Sequence, residues 1–273
     1  MITDLHSHTV FSDGKLTPQA LIDRAIERRV SRLAITDHDT TDALAVARAH
    51  IHDNELPLEL VPGVEISCQW GAKEVHVVGL WVDEDCQALM ALLAQQKQRR
   101  EERAVEIGRR LEKAKIPDAL AGARRHAGTA AITRAHFAQY LVELGKASTV
   151  GAVFKKYLSR GNTGYVPPNW VPLAEAIAVI HRAGGKAVLA HPGRYQLSGK
   201  WLRKLVAEFA EAGGDAMEVA QCQQPQNERR FLADLAAEHH LKASQGSDFH
   251  FPSPFAELGR NLYLPAGALP VWE

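Results

Sequence analysis

The segment DLHSHTVFSDG, residues 4–14, brings two histidines and an aspartate within eight positions of one another, directly after an apolar start. On a strand, side chains alternate between the two faces, so His6 and His8 point to the same side, about 7 Å apart. Two imidazoles in this arrangement can bind one metal ion, and Asp13 can add a carboxylate. Two surface histidines at the end of a strand are the alternative.

Potential metal ligands recur in the other predicted strands of the chain. They lie in ITDHDT, GVEIS, HVVGL, LAHPG and GSDFH, and they are Asp37, His38, Asp39, Glu65, His76, His191, Asp248 and His250. In a barrel of parallel strands the C-terminal strand ends share one face, where the loops build the active site. So many charged groups in one place are costly to bury unless metal ions neutralise them. The sequence therefore predicts a metal centre, and its nitrogen and oxygen ligands suit Mn²⁺, Fe²⁺ or Zn²⁺.

The elements that must position these residues are short apolar runs that alternate with amphipathic ones. Strands are predicted over 2–8, 32–38, 58–67, 74–82, 186–192, 215–220 and 242–250. Helices lie between most of them, and Thr17 and Pro18 mark the N-cap and the first residue of the first helix. This alternation is typical of an α/β fold with parallel strands and helical crossovers, and about seven strands favour a barrel over an open sheet.

One region interrupts the alternation. Residues 87–164 contain helical patterns and no convincing strand. We therefore predict a barrel domain formed by 1–86 and 165–273, with a helical insertion domain at 87–164. The first helix of the insertion is rich in arginine and lysine, but its interspersed glutamates indicate a solvated face for most of these charges.

Composition narrows the possible classes of protein. The 273 residues include 32 basic and 32 acidic side chains, so the formal net charge is zero and a protein that coats nucleic acid is not expected. Three widely spaced cysteines argue against a disulfide framework or a zinc ribbon. We see no signal-peptide pattern, no apolar run of membrane-spanning length and no sign of an obligate protein partner, so we expect a cytoplasmic protein.

The motifs resemble those of the PHP (polymerase and histidinol phosphatase) family, whose members are metal-dependent phosphoesterases on a distorted seven-stranded barrel. The stretches DLHSHTVFSDG, ITDHDT, GVEIS, HVVGL, LAHPGR and GSDFH match the family's motifs in order and span nearly the whole chain outside the insertion. Within the family, the chain is most similar to the bacterial subgroup with a helical insertion, which acts on nucleoside 3′,5′-bisphosphates and on the 5′ ends of short oligonucleotides.

The resemblance implies two to three divalent metal ions, with Mn²⁺ favoured over Fe²⁺ or Zn²⁺. If the family's ligands are transferred to the matching positions of this chain, three metal sites result, and Glu65 bridges two of them. The ligands are His6, His8, Glu65 and Asp248 for the first site, Glu65, His76 and His191 for the second, and Asp13, His38 and His250 for the third. Some relatives carry histidine where this chain has Asp13.

The expected reaction is hydrolysis of a nucleotide phosphate monoester, from nucleoside 3′,5′-bisphosphate to nucleoside 5′-monophosphate, by attack of a metal-bridging hydroxide. Asp248 or His191 is expected to handle the proton. The alternatives are a 5′–3′ exoribonuclease that acts on short RNA, a histidinol-phosphate-type phosphatase, and a PHP module without activity. The complete set of ligands argues against the last of these.

Specificity must come from residues other than the metal ligands, because metal ions bind any phosphate. Arg134 and Arg160 lie in the predicted insertion. A guanidinium binds phosphate through two parallel hydrogen bonds, so either side chain could select a substrate that carries a second phosphate. Ordinary surface arginines are the alternative.

Overall fold

The computed structural model describes residues 1–273, and its centre is one sheet of eight strands. The strands are β1 (Ile2–Asp4), β2 (Val30–Ile35), β3 (Glu59–Trp70), β4 (Lys73–Leu80), β5 (Val171–Pro172), β6 (Lys186–Leu189), β7 (Ala216–Ala220) and β8 (Lys242–Gln245). Their order is β1-β2-β3-β4-β6-β7-β8, and the short β5, which the sequence did not predict, pairs with β3. The predicted α/β class is confirmed.

Helices pack around this sheet and fill the predicted insertion. Outside the insertion they are α1 (Pro18–Glu27), α2 (Ala43–Asp53), α7 (Leu173–Arg182), α8 (Gly199–Glu211) and α9 (Gln226–Glu238). Between β4 and β5 lie α3 (Gln87–Lys113), α4 (Ala119–Ala127), α5 (Arg134–Glu143) and α6 (Val150–Val153), the last continued by a π-helical turn over Phe154–Leu158. Thr17 is the N-cap of α1, since its hydroxyl accepts a hydrogen bond from the Ala20 amide. None of the helices is long and apolar enough to span a membrane.

Strand β4 departs from the parallel arrangement that the sequence predicted. It is antiparallel to β3 and to β6, so the expectation of parallel strands holds for most of the sheet but is wrong for β4. The physical reason is a tight turn between β3 and β4, where Gly71 adopts a positive φ of 56° and the chain reverses into a hairpin. The early residues of β4 therefore lie beside the late residues of β3, and His76 pairs with Ser67.

The chain beyond β1 is hydrogen-bonded to the chain at and beyond the end of β8. The Leu5 amide donates to the Gln245 carbonyl (3.1 Å), the Asp248 amide to the His6 carbonyl (2.9 Å), and the His8 amide to the Phe249 carbonyl (2.8 Å). These bonds bring the first and last strands of the order together. They also place three potential ligands side by side.

Helix α3 contributes to two separate hydrophobic cores. Leu89 and Leu92 in its first turns belong to the main core between the sheet and its helices, whereas Ile107 and Leu111 belong to the core of the insertion. Phe137 of α5 is fully buried in that second core, a burial that stabilises the fold by about 2–3 kcal/mol. One long helix thus fixes the insertion to the sheet. The exact boundaries between the barrel domain and the insertion domain, at 86/87 and 164/165, remain a prediction.

Candidate metal centre

The first group of ligands lies where β1 and β8 end. The His6 and His8 rings are fully buried, and their Nε2 atoms are 3.1 Å apart. Asp248 Oδ1 lies 3.2 Å from His8 Nε2 and 3.4 Å from His6 Nε2. These ligand atoms are close enough to one another to hold a metal ion.

Glu65 lies at the middle of the cluster. Its Oε2 is 3.1 Å from His38 Nδ1 and 3.3 Å from the Nε2 atoms of both His6 and His8. Its Oε1 is 2.8 Å from His76 Nδ1 and 2.9 Å from His191 Nε2. A carboxylate with one oxygen toward each set of imidazoles occupies the position that a bridging ligand needs.

A further group lies around Asp13, in the loop after β1. Asp13 Oδ1 is 3.2 Å from His250 Nε2, while His8 Nδ1 and His38 Nε2 each lie 3.9 Å from an Asp13 oxygen. His8 and His250 stack, with ring centroids 4.1 Å apart. Together these four residues form another group that could hold a metal ion.

His76 reaches the cluster because β4 runs antiparallel to its neighbours. The residue lies inside β4, where it pairs with Ser67, two residues after Glu65, and where its neighbour Val77 pairs with Leu189, two residues before His191. With Glu65 and His38, His76 forms the third group able to hold an ion. The structure thus brings all nine predicted ligands into one cluster, including His191 and Asp248, which were also predicted to handle the proton.

The ligand atoms fit divalent metal ions. Four buried atoms of the predicted ligands form no hydrogen bond of good geometry, although three of them lie within 3.2 Å of another ligand atom, namely Asp13 Oδ1, His38 Nδ1, Glu65 Oε2 and His191 Nδ1. Buried polar atoms of this kind are costly unless something binds them. The donors are imidazole nitrogens and carboxylate oxygens, with no thiolate, a set that divalent transition metals accept.

Protonated imidazoles balance the buried carboxylates in the metal-free protein. Burial raises the pKa of the Glu65 carboxyl, but His38, His6 and His76 outweigh it and hold that pKa well below its usual range. Burial lowers the pKa of His76, yet Glu65 and Glu74 bring it to about 10, and Asp13 and Asp248 likewise bring the pKa of His250 to about 10 against the effect of burial. Metal binding must therefore release protons, so metal affinity falls as pH falls.

Asp37 and Asp39, which follow β2, have structural partners. Asp37 accepts hydrogen bonds from the Thr9 amide and from the Ser12 hydroxyl, and so shapes the loop that carries Asp13. Asp39 pairs with Arg100 of α3, whose Nε donates at 2.7 Å. Neither aspartate belongs to a group of ligand atoms.

The sequence did not single out three residues that contact the ligands. Glu218 of β7 bonds to His6 and to the His191 amide, Arg194 pairs with Asp248, and the Tyr195 hydroxyl accepts from the His76 amide at 2.8 Å. Glu218 had a signal, because it is the one charged residue within the otherwise apolar strand AMEVA. Arg194 and Tyr195 directly follow HPG and carry no comparable signal.

A cavity of about 170 Å³ separates the metal ligands from the insertion. One wall contains Asp13, His38 and His76. The opposite wall combines three arginines with aromatic side chains, and its residues include Arg100, Arg103, Arg134, Phe137, Phe154 and Trp170. Arg134 lies 3.1 Å from Glu74, which also lines the cavity. Arg160, the other predicted substrate arginine, is exposed and does not line the cavity.

Comparison with known proteins assigns this arrangement to a family. Residues 4–165 match the family model of the PHP domain. The chain belongs to the PHP family. It is 62% identical over 273 residues to the 5′-3′ exoribonuclease Rnm of Escherichia coli K12, a match that covers all of this chain and 93% of the relative. It is 41% identical over 272 residues to the 3′,5′-nucleoside bisphosphate phosphatase of Chromobacterium violaceum, covering 99% of this chain and 95% of the relative.

A solved structure agrees with these matches. The PHP chain superimposes with a TM-score of 0.84 on a Bifidobacterium adolescentis protein described as a metal-dependent phosphoesterase. The two sequences are 30% identical, and the match covers 96% of this chain and 92% of the other. The PHP protein is thus a metal-dependent phosphoesterase and a hydrolase, as its sequence predicted, with ligand groups able to bind the metals.

Proposed function

We propose that this PHP protein hydrolyses the 3′ phosphoester of a 5′-phosphorylated nucleotide, converting a nucleoside 3′,5′-bisphosphate into the 5′-monophosphate and inorganic phosphate. The observation that carries the proposal is the cavity that joins the ligand cluster to Arg134. A phosphate at the ligand cluster would leave the rest of a small nucleotide in that cavity. A second phosphate would then lie near the arginines.

The cavity wall has an excess of positive charge. Arg100 is paired with Asp39, whereas Arg103 and Arg134 share one carboxylate, Glu74. Since one carboxylate cannot balance two guanidiniums, a positive charge remains to bind an anion. The Arg134 side chain is 29% exposed, so a ligand can reach it.

Two buried N–H groups of the same wall lack partners. Trp170 Nε1 and Arg103 Nε form no hydrogen bond within the protein. The Arg103 guanidinium lies 5.0 Å from the centre of the Trp170 ring, which supports it through a cation–π contact. Both groups are donors only, so they suit an acceptor-rich ligand such as a phosphorylated sugar.

The ligand cluster would hold two to three divalent ions, for which we propose Mn²⁺ ahead of Fe²⁺ or Zn²⁺. When bound, such ions supply a water that ionises near neutral pH and neutralise charge on the phosphoryl oxygens. Glu65 would lie between two of them. Burial raises the pKa of Asp248, but Arg194 and His6 outweigh it and hold that pKa well below its usual range, so Asp248 stays ionised. Because Nε2 of His191 would be held by a metal ion, we assign the proton-handling role to Asp248, whose carboxylate could accept a proton from the attacking water.

A 5′–3′ exoribonuclease activity on short RNA is the second candidate. It is favoured by the 62% identity to a relative that is named for this activity. The chemistry is compatible, because release of a 5′-mononucleotide from 5′-phosphorylated RNA breaks the same bond between phosphorus and O3′. Histidinol phosphate, the third predicted substrate, has no contact in this cavity that favours it.

We also propose that the sheet is the predicted distorted seven-stranded barrel. Support comes from the seven strands of the main order, to which β5 is a short addition, and from the hydrogen bonds between the chain after β1 and the chain after β8. A closed sheet has no free edge and gathers its loops at one face.

The test of the proposed substrate is to replace Arg134 with alanine and to compare two substrates that share the scissile bond. For a nucleoside 3′,5′-bisphosphate, kcat/KM should fall about 10- to 150-fold, which corresponds to about 1.5–3 kcal/mol for a hydrogen bond to a charged group. For the nucleoside 3′-monophosphate, which lacks the second phosphate, kcat/KM should change less than threefold. Arg134→Lys should recover little, because lysine lacks the planar fork.

Arg203→Ala serves as the matched control, because Arg203 is an exposed arginine of α8 that pairs with Glu238. It should leave both substrates unaffected. An equal loss on both substrates for Arg134→Ala would exclude recognition of a second phosphate by this side chain.

A further inference from the structure

Glu218 connects two of the predicted metal ligands from a strand that supplies no ligand itself. The residue lies in β7 and its side chain is 1% exposed. Its Oε1 is 2.6 Å from Nδ1 of His6, and its Oε2 accepts a 2.6 Å hydrogen bond from the backbone amide of His191. One carboxylate thus holds a ligand beyond β1 and a ligand beyond β6.

The contact with His6 determines which ring nitrogen is free for a metal. An ionised carboxylate only accepts hydrogen bonds, so Nδ1 of His6 must carry a proton to bond with Glu218. The other nitrogen, Nε2, lies among His8 Nε2, Glu65 Oε2 and Asp248 Oδ1, at 3.1, 3.3 and 3.4 Å. Whatever the protonation of the metal-free ring, Nε2 is therefore the nitrogen that gives up its proton to an ion.

The contact with His191 holds an unusual backbone. His191 has φ and ψ of 32° and 53°, in the left-handed region that side chains other than glycine rarely adopt. The bond from its amide to Glu218 helps to keep that conformation. The His191 ring is thereby directed to Glu65, with Nε2 2.9 Å from Oε1.

Gly246 leaves room for the pair formed by Glu218 and His6. A Cβ on this residue would lie 2.3 Å from the Cβ of His6 and 3.2 Å from Oε1 of Glu218. Only glycine permits this close approach. The backbone at the end of β8 is thus shaped to accommodate the contact.

We propose that Glu218 is a positioning residue of the metal centre, which fixes the metal-facing nitrogen of His6 and the backbone of His191 before an ion binds. The proposal rests on the metal-binding role proposed above. It adds a function for β7, which apart from the two-residue β5 is the one strand of the sheet that delivers no predicted ligand.

The test uses the full chain with Glu218→Gln. Glutamine keeps the shape of glutamate, but one of its two positions becomes a donor, so it cannot accept from both His6 and His191. Calorimetric titration of the metal-free protein with Mn²⁺ should show affinity about 10- to 100-fold weaker than that of the wild type, the usual effect of removing a group that orients a metal ligand. Glu218→Asp, which is too short to span both contacts, should shift affinity in the same direction and serves if Glu218→Gln does not fold.

A second readout needs no metal. In the nitrogen-15 NMR spectrum of the metal-free wild type, the Nδ1 proton of His6 should exchange slowly with water because it is held in a buried hydrogen bond. In Glu218→Leu, whose side chain cannot accept a hydrogen bond, this protected signal should disappear, whereas the amide oxygen of Glu218→Gln could still accept from His6. If Glu218 contributed only to general stability, its replacement would lower the unfolding temperature, but the Nδ1 proton signal of His6 would remain in the folded variant.

Asp215→Asn is the matched control. Asp215 directly precedes β7 and also contacts a histidine ring and a backbone amide, those of His181 and Ala187, each at 2.7 Å from its Oδ2. In this variant the Mn²⁺ affinity and the His6 signal should stay unchanged.

Two results would overturn the proposal. One is a folded Glu218→Gln protein whose Mn²⁺ affinity is within twofold of wild type, and the other is a His6 signal that persists in a folded Glu218→Leu protein. If the wild type binds no Mn²⁺ at all, the metal-binding role fails instead, and the His6 signal still tests the contact with Glu218.

Discussion

At the scale of single residues, we expect the proposed metal centre to depend most on Glu65. This carboxylate is buried between His38 on one side and His76 and His191 on the other. A buried charge without partners is strongly unfavourable, so Glu65 can remain ionised only because imidazolium groups or metal ions surround it. No other carboxylate of the cluster has histidine ring nitrogens within 3.3 Å of both of its oxygens, because His38 lies 3.9 Å from the second oxygen of Asp13.

Glu65→Gln should therefore be the most damaging conservative change at the centre. The amide keeps the shape but loses the charge that would attract two ions, so we expect at least one ion per chain to be lost. We expect kcat/KM to fall at least ~100-fold, or ~2.7 kcal/mol of barrier. Metal analysis and steady-state kinetics measure both effects.

Glu59→Gln is the control for this variant, because Glu59 is exposed at the other end of the same strand and pairs with Arg32. It should retain metal and activity. Activity of Glu65→Gln within tenfold of wild type, together with unchanged metal content, would refute a bridging role.

At the scale of elements, the start of α5 positions Arg134. Thr133 is the N-cap, and its hydroxyl accepts from the Ala135 amide at 3.2 Å. In return the Thr133 amide donates to Nδ1 of His136 at 3.1 Å, which completes a capping box. Arg134 is the first residue of the helix, so this box fixes the backbone from which its side chain enters the cavity.

The capping box should make folding stability dependent on pH. Burial lowers the pKa of His136 to about 4, below the value of 6.5 expected when unfolded. The imidazole of His136 therefore binds a proton more readily in the unfolded chain than in the folded protein. Its contribution to the free energy of unfolding is present in full above pH 6.5 and is lost as pH falls toward 4. Between pH 7 and pH 5 the loss from this residue should be about 2 kcal/mol.

Urea unfolding at the two pH values, in wild type and in His136→Gln, measures this effect. Glutamine can still accept the capping bond but does not titrate, so the variant should lose about 2 kcal/mol less than wild type on acidification. His52→Gln, at a histidine whose side chain is 88% exposed, should behave as wild type. Equal losses in wild type and His136→Gln would show that His136 is not the group responsible.

At the scale of the whole molecule, the sequence was sufficient for what depends on local pattern. Thr17 as N-cap and the α/β class follow from residue types and spacing, and the structure agrees. The ligand motifs do not all lie at strand ends, because Glu65 is inside β3 and His76 is inside β4. The direction of β4 does not follow, because the short connection WGAK carries no strong turn signal besides Gly71, whose positive φ reverses the chain. The contact of Glu218 with His6 joins residues 212 positions apart, and only the folded sheet brings them together.

Arg134 and Arg160, the two arginines predicted to bind substrate, show again that local sequence pattern does not specify contacts between distant parts of the chain. Both lie in the insertion, and nothing in their local sequence separates them. Arg134 starts α5 and lines the cavity, whereas Arg160 is exposed after the π-helical turn. The difference arises from how the helices of the insertion pack on α3, which local pattern cannot specify.

The central claim is that the nine converging side chains hold divalent ions on which phosphoester hydrolysis depends. The most direct measurement is phosphate release from a nucleoside 3′,5′-bisphosphate, with metal content determined on the same samples before chelation, after chelation and after addition of Mn²⁺. We predict at least two ions per chain in active protein, loss of activity with loss of metal, and recovery of both with Mn²⁺. Full activity in protein that holds less than one ion per chain would contradict the account.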